Sequence, residues 1–322
     1  MKNTIKYTVG LLFLTGCSLL YMDGVRLDKT PIASVSAILP QGPAIAPGQK
    51  LPLVVIVTEP DGTVLRTDGS GGSPVSWHDL RIKATLVAVD ENGIVSLRKD
   101  PRLSEGQTGE ITITVPSHPG IEAHLDVPVR YNFAFVCDFS GAGGLPGLNG
   151  GNGIDGVPGT DGRDDPNHIV SGGNGQSGSD GEDGRDGQPG GDAPSVEIRI
   201  TVGRPNQLLQ VQVLAEKKVR RYLIDPDGGS LTVEADGGLG GPGGSGGQGG
   251  RGGRGGKGGG YMNNGIPGAD GANGRDGSPG PQGKGGQITL IYDTAAKPYL
   301  GLIHLSSQNG PDPIILEQSY PH

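Results

Sequence analysis

Outside two glycine-dense stretches, the apolar residues of this chain fall in short runs that alternate with polar positions. The runs are Leu53-Val54-Val55-Ile56-Val57, Ile111-Thr112-Ile113-Thr114-Val115, Val196 to Val202, Leu208 to Val213 and Ile288-Thr289-Leu290-Ile291-Tyr292. Successive side chains of a strand point to opposite faces, so alternation over five to eight β-branched residues predicts strands. Helix-like periodicity is absent, and the expected fold class is all-β.

From about Ile32 to Tyr131, six or seven such runs are separated by turn signals: Pro47-Gly48, Pro60-Asp61-Gly62, Asn92-Gly93, Glu105-Gly106 and Pro119-Gly120. Short strands at this spacing over about a hundred residues predict a β-sandwich, placed at residues 31–131. The order of a Pro-Gly turn, Val57-Thr58-Glu59-Pro60-Asp61-Gly62, a lone Trp77, Asn92-Gly93-Ile94-Val95-Ser96-Leu97 and Gly109-Glu110-Ile111-Thr112-Ile113-Thr114-Val115 resembles bacterial immunoglobulin-like repeats. That resemblance implies a spacer or adhesive unit with Trp77 in its core.

Glycine supplies 63 of 322 residues, and the excess lies in blocks 141–192 and 237–286. It falls at every third position in four runs, Gly141–Gly162, Gly172–Gly190, Gly237–Gly258 and Gly265–Gly283, which hold 8, 7, 8 and 7 triplet glycines. A three-residue period marks a left-handed extended helix that rises about 3.1 Å per residue and makes no hydrogen bonds to itself. Its amides must therefore pair with other segments. One solution is a collagen-type trimer of three chains; the other is a set of hairpins packed within one molecule. Equal pairs of runs, turn-prone interruptions at Asp165–Ser171 and Tyr261–Asn264, and flanking strands favour hairpins and a monomer, with both ends of each hairpin in one β-base at residues 132–310. Residues 311–322 are expected to be a tail.

The third run has two glycines per triplet, which permits close backbone approach on two sides and predicts an interior place. Third positions of the second run give an acidic ladder, Asp180, Asp183 and Asp186, continued by Asp192. The third run carries a basic one, Arg251, Arg254 and Lys257. These ladders are expected to pair across the assembly, to solubilise it, or to hold ions. Ile169, Val170, Tyr261 and Met262, the bulky residues of the interruptions, are the candidate contact tips. The architecture resembles the polyglycine-type bundles of a glycine-rich insect antifreeze protein and of a phage tail-tip adhesin. The whole chain resembles collagen-like, glycine-rich bacterial lipoproteins, and fold analogy of this kind does not carry function.

The amino terminus supplies a compartment. Lys2 and Lys6 precede an apolar run from Val9 to Leu14, too short for a span of roughly 20 residues, as in an export signal. Leu14-Thr15-Gly16-Cys17 follows and resembles the lipobox of bacterial lipoproteins. The resemblance implies a signal peptide at 1–16, an acylated Cys17 and a linker over 17–30. Ser18 after the cysteine implies sorting to the outer membrane. Several acyl chains on one cysteine make a stable membrane anchor. Cys137 is then the one remaining thiol, read as a buried residue of the strand Phe133–Cys137. A net charge of −8 argues against nucleic-acid binding.

No residue set supports an enzyme, a metal site or a cofactor. Gly243-Gly244-Ser245-Gly246-Gly247 fits a nucleophile elbow but lacks the strand-turn-helix context. Gly150 to Pro158 fits one calcium-binding nonapeptide that does not repeat. His118 and His124 lack further ligands to complete a metal set. In Trp77-His78-Asp79, read as strand, neighbours point apart. The expected function is a binding or adhesive module for a protein or glycan ligand. The alternative is a structural envelope lipoprotein acting as a spacer, and an enzyme is a distant third.

Overall fold

The computed structural model describes residues 25–70, 74–165, 168–203 and 206–318. Cys17 and the export signal lie outside them. The described chain is mostly β-sheet, with helical turns at Leu27–Lys29, Trp77–Asp79, Pro101–Leu103 and Thr294–Leu302. No helix among the described residues is long and apolar enough to cross a membrane. The chain divides into two compact units. One runs to Lys99 and includes Ser104–Val129; the other holds Asp100–Leu103 and the residues from Arg130 onward.

Among its described residues the first unit contains nine strands: β1 (Ser34–Ile38), β2 (Lys50–Pro52), β3 (Val54–Thr58), β4 (Val64–Arg66), β5 (Arg81–Thr85), β6 (Val87–Val89), β7 (Ile94–Leu97), β8 (Thr108–Thr114) and β9 (Glu122–Pro128). They form three antiparallel sheets, β1-β3-β4, β2-β7-β6 and β5-β8-β9. Alternation places the core: in β8, Ile111 and Ile113 are buried between exposed or half-buried Glu110, Thr112 and Thr114. Leu51, Val55, Val57, Val95 and Val127 complete its centre, and each such side chain contributes about 1.5–3 kcal/mol by leaving water.

Trp77 differs from its expected place. It is half-buried at the margin of this core, in a 3-10 turn rather than a strand, because Ser76 Oγ accepts the His78 N–H at 3.3 Å. Its ring lies against Gly93, where φ is +74° and a β-carbon would overlap the indole. Asp79 does not partner His78; its carboxylate accepts the Leu27 N–H at 2.9 Å.

The second unit contains β10 (Ala134–Asp138), β11 (Asp164–Asp165), β12 (His168–Ile169), β13 (Val196–Val202), β14 (Leu209–Ala215), β15 (Lys218–Ile224), β16 (Ser230–Glu234), β17 (Ile288–Tyr292), β18 (Ile303–Ser306) and β19 (Ile314–Glu317). The ends of each glycine block do not share one sheet. The entering strands β10 and β16 pair in parallel with each other, with β18 parallel on the far side of β16, while the leaving strands β13 and β17 pair in parallel within the order β15-β14-β13-β17-β19. The cause is continuity: Phe139 N–H donates to Glu234 O and Gly141 N–H to Asp236 O, both at 2.8 Å, so each strand pair carries on as a pair of glycine runs. The expected tail also differs. Ile314–Glu317 adds parallel to β17, and Glu317 accepts from Thr294 Oγ1 at 2.9 Å, Tyr292 OH at 3.1 Å and Lys297 Nζ at 3.3 Å.

Candidate functional site

A glycine every third residue leaves one column of each run without side chains, and the four runs meet along those columns. The first run donates from each triplet glycine to the third, as in Gly144 N–H to Leu239 O at 2.8 Å, and the second donates likewise to the fourth; both pairs are parallel. Antiparallel bonds join the second run to the first (Arg185 N–H to Leu148 O, 2.8 Å), the third to the second (Gly247 N–H to Glu182 O, 2.8 Å) and the fourth to the third (Gly274 N–H to Gly247 O, 2.8 Å). The second and third runs thus bond to all three others, and the first and fourth to two each. A β-carbon on Gly247 would run into Gly151 O, and one on Gly246 into Gly274 O. This is the close approach that two glycines per triplet permit.

The residue before the triplet glycine adds a second grip. Asn149 Oδ1 accepts the Ser245 N–H at 2.9 Å while Gly150 N–H donates to the Ser245 carbonyl at 2.8 Å, so one dipeptide closes on one residue of the parallel neighbour. Asn152-Gly153 closes on Gln248, Asp155-Gly156 on Arg251 and Asp161-Gly162 on Lys257. Between the second and fourth runs, Asn174, Asp180, Asp183 and Asp186 clamp Ile266, Ala272, Arg275 and Ser278 in the same way. Where the clamping residue is Pro146 or Pro189, its opposite number is Pro242 or Pro281, which has no N–H to offer. Pro158 stands opposite Arg254 and is the exception.

The charge ladders therefore stand apart from one another. Asp180, Asp183 and Asp186 spend Oδ1 on backbone N–H groups at 2.7 Å each, and no ion pair among the described residues joins them to Arg251, Arg254 or Lys257. Sequence reading took these carboxylates as charges and missed them as acceptors, although Asx or Pro before most triplet glycines of three runs was the visible signal. It also missed an apolar row on the first run, where Leu145, Leu148, Ile154 and Val157 are 59–77% exposed.

The two interruptions meet at one end of the runs. Gly259 N–H donates to Val170 O and Gly172 N–H to Asn263 O, both at 3.1 Å. Ile169, half-buried, pairs with Asp164 in the β11-β12 ladder. Val170 and Met262 are each 46% exposed and Tyr261 93%. The structure thus brings together the bulky residues of both tips. In the opposite direction, Cys137 in β10 is fully buried, and that burial pushes its thiol pKa up, with Arg220 Nη1 3.8 Å from Sγ.

His124 bonds Thr112 at 3.2 Å and sits 3.2 Å from Glu122, while His118 bonds Ser117 at 3.0 Å. No group of three metal-ligating side chains occurs among the described residues. Ser245 lies in the extended third run rather than at a strand-helix turn. No protein-family model matches the chain, and no curated protein is similar to it in sequence.

Proposed function

We propose that the chain is a lipoprotein, held at the outer membrane through an acylated Cys17, that presents a binding surface for a protein or glycan at the far end of its glycine runs. In this reading residues 31–131 are an immunoglobulin-like spacer, and the runs are polyglycine-type helical hairpins packed within a single monomeric chain. The three-residue spacing of every inter-run ladder supports that packing, because an extended helix with three residues per turn returns each amide to the same side once per turn.

One observation carries the binding reading. Both tips are tied together by backbone bonds, yet they leave an aromatic and two aliphatic groups in water, an arrangement that costs hydration free energy unless a partner covers it. Replacing Asp165–Ser171 and Tyr261–Asn264 by Gly-Asn-Gly turns is expected to abolish attachment to cells or surfaces in a protein whose folding is checked by heat denaturation. Undiminished attachment, lost instead on deleting residues 30–130, would move the contact site to the spacer. Cys17→Ser is expected to eliminate labelling by a radioactive fatty acid; equal label in mutant and wild type would refute the anchor.

A second reading, a strut without a ligand of its own, is favoured by the clamps. The acidic rows act as backbone acceptors, which makes them part of the frame rather than a displayed pattern.

A further inference from the structure

Seven Asn-Gly dipeptides occur in the chain, beginning at Asn92, Asn149, Asn152, Asn174, Asn264, Asn273 and Asn309. This pairing is chemically labile, because glycine has no side chain to shield its nitrogen. The glycine nitrogen attacks Asn Cγ, the N–Cγ bond forms, the Cγ–Nδ2 bond breaks, and ammonia leaves with the proton from the glycine amide. Water then opens the cyclic imide at either carbonyl, giving aspartate or isoaspartate. The step needs a side chain free to turn toward the following nitrogen and an N–H free to be surrendered.

Five of the seven lie where the glycine runs withhold both freedoms. Asn149, Asn152 and Asn174 each accept a backbone N–H at 2.9 Å, and the glycine that follows donates to the same clamped residue at 2.7–2.9 Å. Asn264 and Asn273 accept from Gly258 and Gly249 N–H at 2.9 Å, and Gly265 and Gly274 donate at 2.8 Å. Oδ1 and the attacking nitrogen are thus both held by a neighbouring run.

We propose that these five asparagines are latent modification sites, silent while the runs are assembled and open to spontaneous deamidation once they separate. The two products differ in consequence. Aspartate keeps an Oδ1 in the clamping position, as Asp155, Asp161 and Asp183 already do. Isoaspartate routes the main chain through the side chain, adds one backbone atom before the glycine, and breaks the register of every clamp beyond it. A chain that stays unfolded long enough to rearrange loses the ability to reassemble, independently of what the tips bind.

The test incubates the full-length protein at mildly alkaline pH, folded or in denaturant, and follows each peptide by mass spectrometry together with enzymatic methylation of isoaspartate. Conversion at Asn149, Asn152 and Asn273 is expected to be at least about 100-fold slower in the folded protein, within the range of protection that a cooperatively folded segment gives against local opening. Folded and denatured rates within threefold of each other would overturn the proposal. A variant locates the effect: Ser245→Pro removes the N–H held by Asn149 and leaves the Asn152 clamp intact, and Pro242 one triplet earlier shows that the run accepts proline. Asn149 should then convert about tenfold faster than Asn152 in the same molecule, since the side-chain half of its clamp is gone. Equal rates at the two sites in a folded Ser245→Pro protein would refute the clamp as the cause. If that variant does not fold, the comparison of folded and denatured wild type decides alone.

Discussion

Gly247→Ala and Gly151→Ala apply the same methyl group to glycines on facing runs, and the structure assigns them opposite effects. Gly247 is buried; its β-carbon would overlap Gly151 O while its own N–H holds Glu182 O. Relief requires the first and third runs to part. Overpacking of this kind costs about 1–3 kcal/mol. Parting also stretches the flanking bonds from Gly150 to Ser245 and from Gly153 to Gln248, each worth about 1 kcal/mol net. A loss of about 3–5 kcal/mol is expected. Gly151 is exposed, and a β-carbon there meets only the Glu182 carboxylate, whose Oε2 lies 3.2 Å away at the end of a flexible side chain. Gly151→Ala should be neutral, or stabilising by about 0.4–1 kcal/mol through the lower entropy of the unfolded chain. Urea titration of both variants, read by circular dichroism, measures the difference. Equal losses, or a Gly247→Ala cost below about 1 kcal/mol, would refute the inter-run packing that the estimate rests on.

Three further outcomes follow from single side chains. Asp183→Ala should destabilise by about 1 kcal/mol and Asp183→Asn by less than half of that, because asparagine still offers Oδ1 to the Arg275 N–H; equal losses in denaturant titrations would refute the acceptor role. Hydrogen bonds from Thr294, Lys297 and Tyr292 hold the Glu317 carboxyl pKa below its ordinary value of 4.5. A lowered folded pKa stabilises above the unfolded value and loses that effect as pH falls through the folded one. Amide exchange in Ile314–Glu317 should therefore quicken below about pH 4, and stay flat from about pH 8 to 6 apart from intrinsic chemistry. Cys137, with its thiol pKa raised by burial, should resist alkylation in the native protein at mildly alkaline pH and react fully in denaturant; fast native labelling would contradict its place in the core.

The strands that alternation marks, such as Val196 to Val202 and Ile288 to Tyr292, coincide with β13 and β17, because each buries one face and its polar residues fall on the other. Elements that break alternation are less legible. In β15 the charged residues Lys218, Arg220 and Arg221 occupy both faces of an edge strand, where water reaches them, so no apolar period survives. In β19 all four residues are exposed, and the strand is defined by pairing to β17 rather than by burial. That the two ends of each glycine block fall in different sheets has a topological cause, since the spacing of glycines fixes which segments are extended but not which neighbours they keep. The acidic ladder was visible as a row, yet its role depends on where Oδ1 points, and that follows from the relative rotation of two runs about a hundred residues apart.

That rotation is nonetheless written into the chain as a register. Ala134 lies opposite Ser230, 96 positions on, and Asn149 clamps Ser245, again 96 on. Val196 lies opposite Ile288, 92 on, and Asp180 clamps Ala272, also 92 on. The sheet and the glycine runs therefore share one register from base to tip, and the proline pairs at 146 and 242, and at 189 and 281, obey it. A one-residue insertion within a run would displace every clamp beyond it, since each needs a donor, an acceptor and a glycine in phase. The two offsets differ by four residues, and that difference arises where the chain turns from one run to the next: nine residues separate Asp161 from Ser171, and five separate their partners Lys257 and Asn263. Apart from Asn264, which holds the Gly258 N–H, no such clamp falls in the described residues of the turns, so the clamps do not fix their length. A molecule built this way can vary its tips without disturbing its frame, which is the property a binding surface needs and a strut does not.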